Sequence, residues 1–290
     1  MPIDTSVELI ADYACHCGEN PLWHRTQKRL YWTDIPTGRL FWYDPATGEH
    51  QQCYEGPQVG GFTFQADGSL LLFRERCNVV VWADGREQRT VIDEISDEVT
   101  TRFNDVMADP KGRVFAGTMP TKERLGRLYR IDTDGSHHLL LEDIGCANGM
   151  GFTLDGQQMY FTDTRAKTIW IFVYDEASGA ITNQRAAVRT DNEAGGPDGM
   201  AVDAEGCIWS AKFGGHGIDR YSPQGEHIGR LDLPAEQITS LIFAGDALDE
   251  LYITSAGGAD KARRGEHAGG LFRARPGVRG RAEHDSRVGL

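Results

Sequence analysis

The chain of 290 residues has no apolar run close to the roughly 18 residues that a membrane-spanning helix needs. Its first thirteen residues carry Asp4, Glu8 and Asp12 and no basic cluster ahead of an apolar segment, so no secretory signal is expected and the protein reads as cytoplasmic. Positive charge is scarce: 30 Lys and Arg stand against 43 Asp and Glu, a net charge of −13. That balance disfavours nucleic acid and anionic membrane as partners and is compatible with a site for a cation. A matched second ligand pair is also missing. Cys15-His16-Cys17 has no such partner elsewhere, so a zinc cluster is not expected, and the six cysteines read as free thiols. There is no Gly-x-Ser-x-Gly elbow to suggest a serine hydrolase.

What the sequence does contain is a repeat. Short apolar strands align on Leu30, Leu70, Val114, Met159, Ile208 and Leu251, at spacings of 40 to 49 residues. Periods of this size mark propellers or solenoids. The segments are short, β-branched and aromatic, and are broken by Gly and Asp turns, which selects strands over helices. Each unit supplies a preceding strand and a third one, such as Leu40–Tyr43 or Ile169–Phe172, and five units supply a fourth. The sixth lacks it, while Val7–Tyr13 precedes the first unit and resembles an outer strand. An open ring would leave unpaired strand edges. The reading is therefore an all-β protein: one six-bladed β-propeller domain over residues 1–290, with four-stranded blades and the N-terminal strand closing the last. Residues 281–290 read as a loose tail.

The first strand of each unit lines the axis of such a ring. Counting back 10 or 11 residues from the aligned positions reaches Glu19, Asn104, Asn148 and Asp198. Two carboxylates and two amides at one level suit a hard divalent cation (Ca²⁺, Mg²⁺ or Mn²⁺) better than a nitrogen and sulfur cage. Taken singly, Asn148-Gly149 and Pro197-Asp198-Gly199 are ordinary turn signals; their shared register argues for a site. Arg102 precedes Asn104 by two and faces the same mouth. The loops after the second strands bring Thr33-Asp34, the segment 118–124 with Lys122, Asp163 and the segment Lys212 to His216 around it, a polar and partly basic rim.

The segments Gly18–Trp23, Arg102–Asp105, Ala116–Met119, Asn148–Met150 and Gly196–Asp203 resemble those of the gluconolactonase family that includes regucalcin, in order and over most of the chain. The resemblance implies a six-bladed propeller with one axial divalent metal, which in similar proteins is also Zn²⁺ or Fe²⁺, and hydrolysis of a small sugar lactone to the aldonic acid. It implies Glu19, Asn148 and Asp198 as metal ligands and Arg102 and Asn104 as substrate contacts, to which the rim adds Lys122 and His216. Pro120-Thr121-Lys122-Glu123 departs from the family pattern, which leaves the sugar open. Asp198 is the expected general base. Two other readings stand beside this one: a phosphotriesterase-like hydrolase on the same metal site, and a calcium-binding or ligand-binding propeller without turnover.

Overall fold

The computed structural model describes residues 2–3 and 5–290. Among these, 24 strands form six four-stranded antiparallel sheets arranged as the blades of a propeller. In blades one to five the strands lie in chain order from the axis outward. The sixth is composite. Ile238–Ala244, Glu250–Ser255 and Gly270–Ala274 are joined at the outer edge by Val7–Asp12, with Val7 opposite Ala274 and Asp12 opposite Gly270. The expected ring closure is present, and among the described residues no helix is long and apolar enough to cross a membrane.

The core is not one central mass. Six hydrophobic clusters lie one between each pair of neighbouring blades. The cluster at the seam joins Ala11 and Leu271 of blade six to Leu30, Trp32 and Phe41 of blade one. Burial of those side chains, at about 1.5–3 kcal/mol for each large apolar group, holds the ring shut alongside the hydrogen-bonded strand.

Each inner strand breaks register at the same depth. The interruptions fall between Glu19 and Leu22, Val59 and Gly61, Asn104 and Val106, Asn148 and Met150, Pro197 and Met200, and Ile238 and Ser240. A bulge re-aims a side chain that strict alternation would send to the other face. Six of them at one level form a ring around the axis. Here Asn148-Gly149 and Asp198-Gly199 prove to be strand residues and not turns. Their glycines serve close approach: a Cβ on Gly149 would lie 2.6 Å from the Asp198 carbonyl oxygen, and one on Gly199 would lie 2.2 Å from Ser240 Oγ.

Residues 281–290 correct the expectation of a loose tail. The segment crosses the mouth of the ring opposite Glu19, Asn148 and Asp198. Arg281 Nη1 donates to the carbonyls of Phe152 and Thr153, and the Ser286 N–H to that of Phe64. The Arg287 N–H donates to the carbonyl of Gly112. Ser286 and Val288 are fully buried. The anchors are mostly backbone hydrogen bonds to turns of several blades, which leave no periodic pattern in a polar sequence.

Candidate active site

The bulges bring Glu19, Asn104, Asn148 and Asp198 together at the axis, each 4% to 7% exposed. A chain of hydrogen bonds orients the amides. Arg102 Nη1 donates to the Phe103 carbonyl and to Asn104 Oδ1, both at 2.8 Å. Asn104 Nδ2 donates to the Ala147 carbonyl at 2.6 Å and to Asn148 Oδ1 at 3.0 Å. Asn148 Nδ2 donates to Thr164 Oγ1 at 2.8 Å. Both amide nitrogens are thereby engaged, and the Asn148 side chain also hydrogen-bonds toward the Asp198 carboxyl. Arg102 keeps Nε and Nη2 without a partner among the described residues.

Counting back along the repeat does not reach Asp105. It is the bulged residue of its strand, with a left-handed backbone (φ 54°), and its side chain turns toward the axis beside Glu19 and Asp198. Strand alternation sends it away from the axis, and a one-residue bulge leaves no composition signal beyond the Asn-Asp pair itself. Burial raises the Asp105 carboxyl to about 7, against a hydrogen bond from the Val106 N–H. Burial and then the Asp105 charge push Glu19 up to about 8, opposed by the Asn20 N–H and by Arg102. Asp198 is pushed well above the usual carboxylate range by burial, then by Glu19 and Asp105, with Asn148 acting the other way. No salt bridge among the described residues includes any of the three. Two buried carboxyls and a partly buried third, none with an ion-pair partner, and an amide oxygen form a hard-oxygen set that fits a divalent cation.

Below this level the channel narrows to a cavity of about 50 Å³ lined by residues including Asn20, Asp105, Met150, Met200, Ser240 and Glu283. Glu283 comes from the docked tail, and burial lifts its carboxyl to about 7. Above, Cys17 and Cys146 stand two residues ahead of Glu19 and Asn148. Burial pushes the Cys146 thiol up to about 12 and Cys17 well above its usual range. All six cysteines are free.

The rim divides. Lys122 and His216 are exposed, outside the buried constellation. Asp34 is fully buried and structural: it pairs with Arg39 at 2.8 Å and accepts the Cys17 N–H. Asp163 caps four backbone N–H groups of its own turns. Lys212, expected at the rim, is fully buried with its Nζ 2.5 Å from Glu193 Oε2. A Lys stem at the end of a strand can turn inward when acids wait there, and nothing in the local sequence marks that. Among the described residues the one group of three acidic, thiol or imidazole side chains whose ligand atoms lie within 4.8 Å of one another is not the axial set but Asp203 with Glu205 and Cys207. Its central group is already engaged. Asp203 accepts the N–H groups of Glu205 and Cys207, Trp209 Nε1 and the Arg220 guanidinium.

Residues 17–257 match the family described as SMP-30/gluconolactonase/LRE-like region, and the chain belongs to that family. It is 45% identical over 294 residues to the pentonolactonase XacC of Haloferax volcanii, across 98% of this chain and 99% of that protein. It is 32% identical to regucalcin of Danio rerio over 86% of each chain. The crystal structure of the calcium-binding protein regucalcin from Agrobacterium tumefaciens is similar with a TM-score of 0.88 at 25% identity, covering 98% of each chain. The expected class, a hydrolase acting on a carboxylic ester, agrees with the lactonase named among these relatives.

Proposed function

We propose that the protein is a metal-dependent sugar lactonase that opens an aldonolactone to the aldonic acid. The observation that carries this is the convergence of Glu19, Asn148 and Asp198, buried and without ion-pair partners among the described residues, beside Arg102 and Asn104 at the end of the ring away from the docked tail. Glu19, Asn148 and Asp198 would hold one divalent cation of the Ca²⁺, Mg²⁺ or Mn²⁺ kind. When bound, the cation would polarise the lactone carbonyl and stabilise the negative charge that develops on its oxygen.

The chain's own groups account for the rest. Asp198 accepts a proton from the water that attacks the carbonyl carbon. Breaking the ring C–O bond leaves an alkoxide, which takes that proton and becomes a hydroxyl. The new carboxylic acid then ionises, so each turnover releases one proton to solvent. The free Nε and Nη2 of Arg102 point to recognition of hydroxyl oxygens, an orientation that Asn104 fixes through its bond to Nη1. Lys122 and His216 contribute, as exposed rim groups, to capture of a polar substrate. Given the relative in Haloferax volcanii, pentonolactones are the substrates to try first.

The test is proton release in a pH-stat from a panel of pentono- and hexonolactones, with a phosphotriester alongside, before and after treatment with a chelator. Chelator-sensitive hydrolysis of a lactone is expected. Turnover of the phosphotriester alone would point to the rival hydrolase, and tight cation binding without any proton release would point to a binding propeller. Hydrolysis indifferent to chelation would remove the metal from the scheme.

A further inference from the structure

We infer that Lys212 is a positioning residue whose buried ammonium clasps the chain segment leading into Asp198. The inference rests on the reading of Asp198 as a cation ligand. Lys212 lies at the end of the second strand of blade five, Ile208–Phe213, and is fully buried. Its Nζ is 2.5 Å from Glu193 Oε2 and 3.7 Å from Asp219 Oδ2. The same Glu193 oxygen accepts the Tyr221 hydroxyl at 2.7 Å. Asp219 is held in turn by Arg230 Nη1 at 3.0 Å and His227 Nε2 at 3.1 Å. An ammonium taken out of water is strongly disfavoured unless it is paired, so this geometry persists only with the acids in place.

Glu193 belongs to the connection between the outer strand of blade four, Ala180–Arg189, and the inner strand of blade five, Gly196–Val202. At its start the connection is held by Thr190, whose N–H and hydroxyl both donate to the Lys167 carbonyl. The Glu193 N–H donates to the Thr190 carbonyl, and Lys167 Nζ reaches the Glu193 carbonyl at 3.3 Å. The chain then enters the weakest stretch of strand pairing in blade five. Pro197 faces Lys212 in the ladder but has no N–H to donate. Asp198 and Gly199 have no ladder partner, and pairing resumes at Met200 opposite Ser210. The placement of Asp198 therefore depends on how the chain is held on either side. Downstream it is held by the ladder, and upstream by the pairs Gly196–Phe213 and Pro197–Lys212 together with the side chain of Lys212 on Glu193. The strand residue opposite Pro197 is the same one that grips the incoming loop, so one side chain registers both.

Outer groups that orient metal ligands typically cost about 10–100-fold in metal affinity when removed. The test is calorimetric titration of the full chain with Mn²⁺, at a temperature well below melting. Lys212→Met and Glu193→Gln are each expected to weaken Mn²⁺ binding about tenfold or more. Glu193→Gln keeps an acceptor for Tyr221 and leaves Lys212 paired with Asp219, so it carries the test if Lys212→Met fails to fold. The control is Arg113→Met, which breaks another pair built on a buried cation, with Asp109 (2.6 Å). That pair lies on the side of the ring where the tail docks. It should lower the melting temperature and leave Mn²⁺ affinity unchanged. Lys212 and Glu193 variants that bind Mn²⁺ within twofold of the parent overturn the clasp, and so does an equal loss in Arg113→Met. A parent protein that binds no Mn²⁺ or other divalent cation removes the reading of Asp198 and the clasp with it.

Discussion

At the level of the site, blades two and six build the same bulge as their neighbours but carry Gly60 and Thr239 there, where the other four present Glu19, Asp105, Asn148 and Asp198 near the axis. The quiet blades are not idle. A Cβ on Gly60 would fall 1.8 Å from the Phe103 carbonyl oxygen, so its bareness admits the backbone that carries Arg102 and Asn104. Phe62 of the same blade donates its N–H to Asn20 Oδ1, next to Glu19. Thr239 donates its hydroxyl to the Gly18 carbonyl at 2.6 Å, on the other side of Glu19. Each quiet blade thus packs against the segment that carries a proposed site residue of a neighbour. On the proposed reading, chemistry and placement fall to different blades of one repeated scaffold.

The largest effect that separates the two kinds of blade is expected at Asp198. Asp198→Asn keeps an oxygen of similar size and removes the charge and the proton acceptor. With metal at saturation, hydrolysis should remain about 10²–10⁴-fold below the parent in steady-state assays. Activity within a few-fold of the parent would make Asp198 a ligand only. A change on a quiet blade should act through structure instead. Gly60→Ala forces a methyl onto a backbone oxygen, and urea unfolding should show a loss of about 3 kcal/mol, at the upper end of ordinary overpacking. If Gly60→Ala unfolds at the parent midpoint yet loses activity, the division between placing and reacting blades fails. The smallest effects belong to the rim. Lys122→Ala and His216→Ala should raise KM a few-fold at most and leave kcat and the melting temperature alone, since both side chains are exposed. A fall in kcat at either would move that residue into the reacting set.

The architecture was legible because a propeller repeats. Six aligned strands fixed the blade count, and one missing outer strand located the seam at Val7–Asp12. The register of Glu19, Asn104, Asn148 and Asp198 was legible for the same reason, since all four fall within one residue of one repeat position, Asp198 lying one residue past the ladder place that Pro197 takes. What escaped was whatever departs from the repeat or from strand alternation. Asp105 turns inward on a bulge. Asn148-Gly149 and Asp198-Gly199 look like turns because the glycine that lets a neighbouring backbone come close is the same residue that favours a turn. Lys212 has the composition of a rim residue, and its burial depends on Glu193 and Asp219, which are distant in sequence. The tail docks through carbonyls and N–H groups, which every sequence has.

That docked tail sets the traffic through the molecule. An open ring could thread a polymer or pass a molecule from one face to the other. With residues 281–287 laid across one mouth and Glu283 inside it, the axis is a blind well. On the proposed reading, a molecule that reaches Asp198 comes from the side of Arg102 and leaves the same way. Such a well suits compact molecules that enter whole, with reactant and product taking turns at a single doorway.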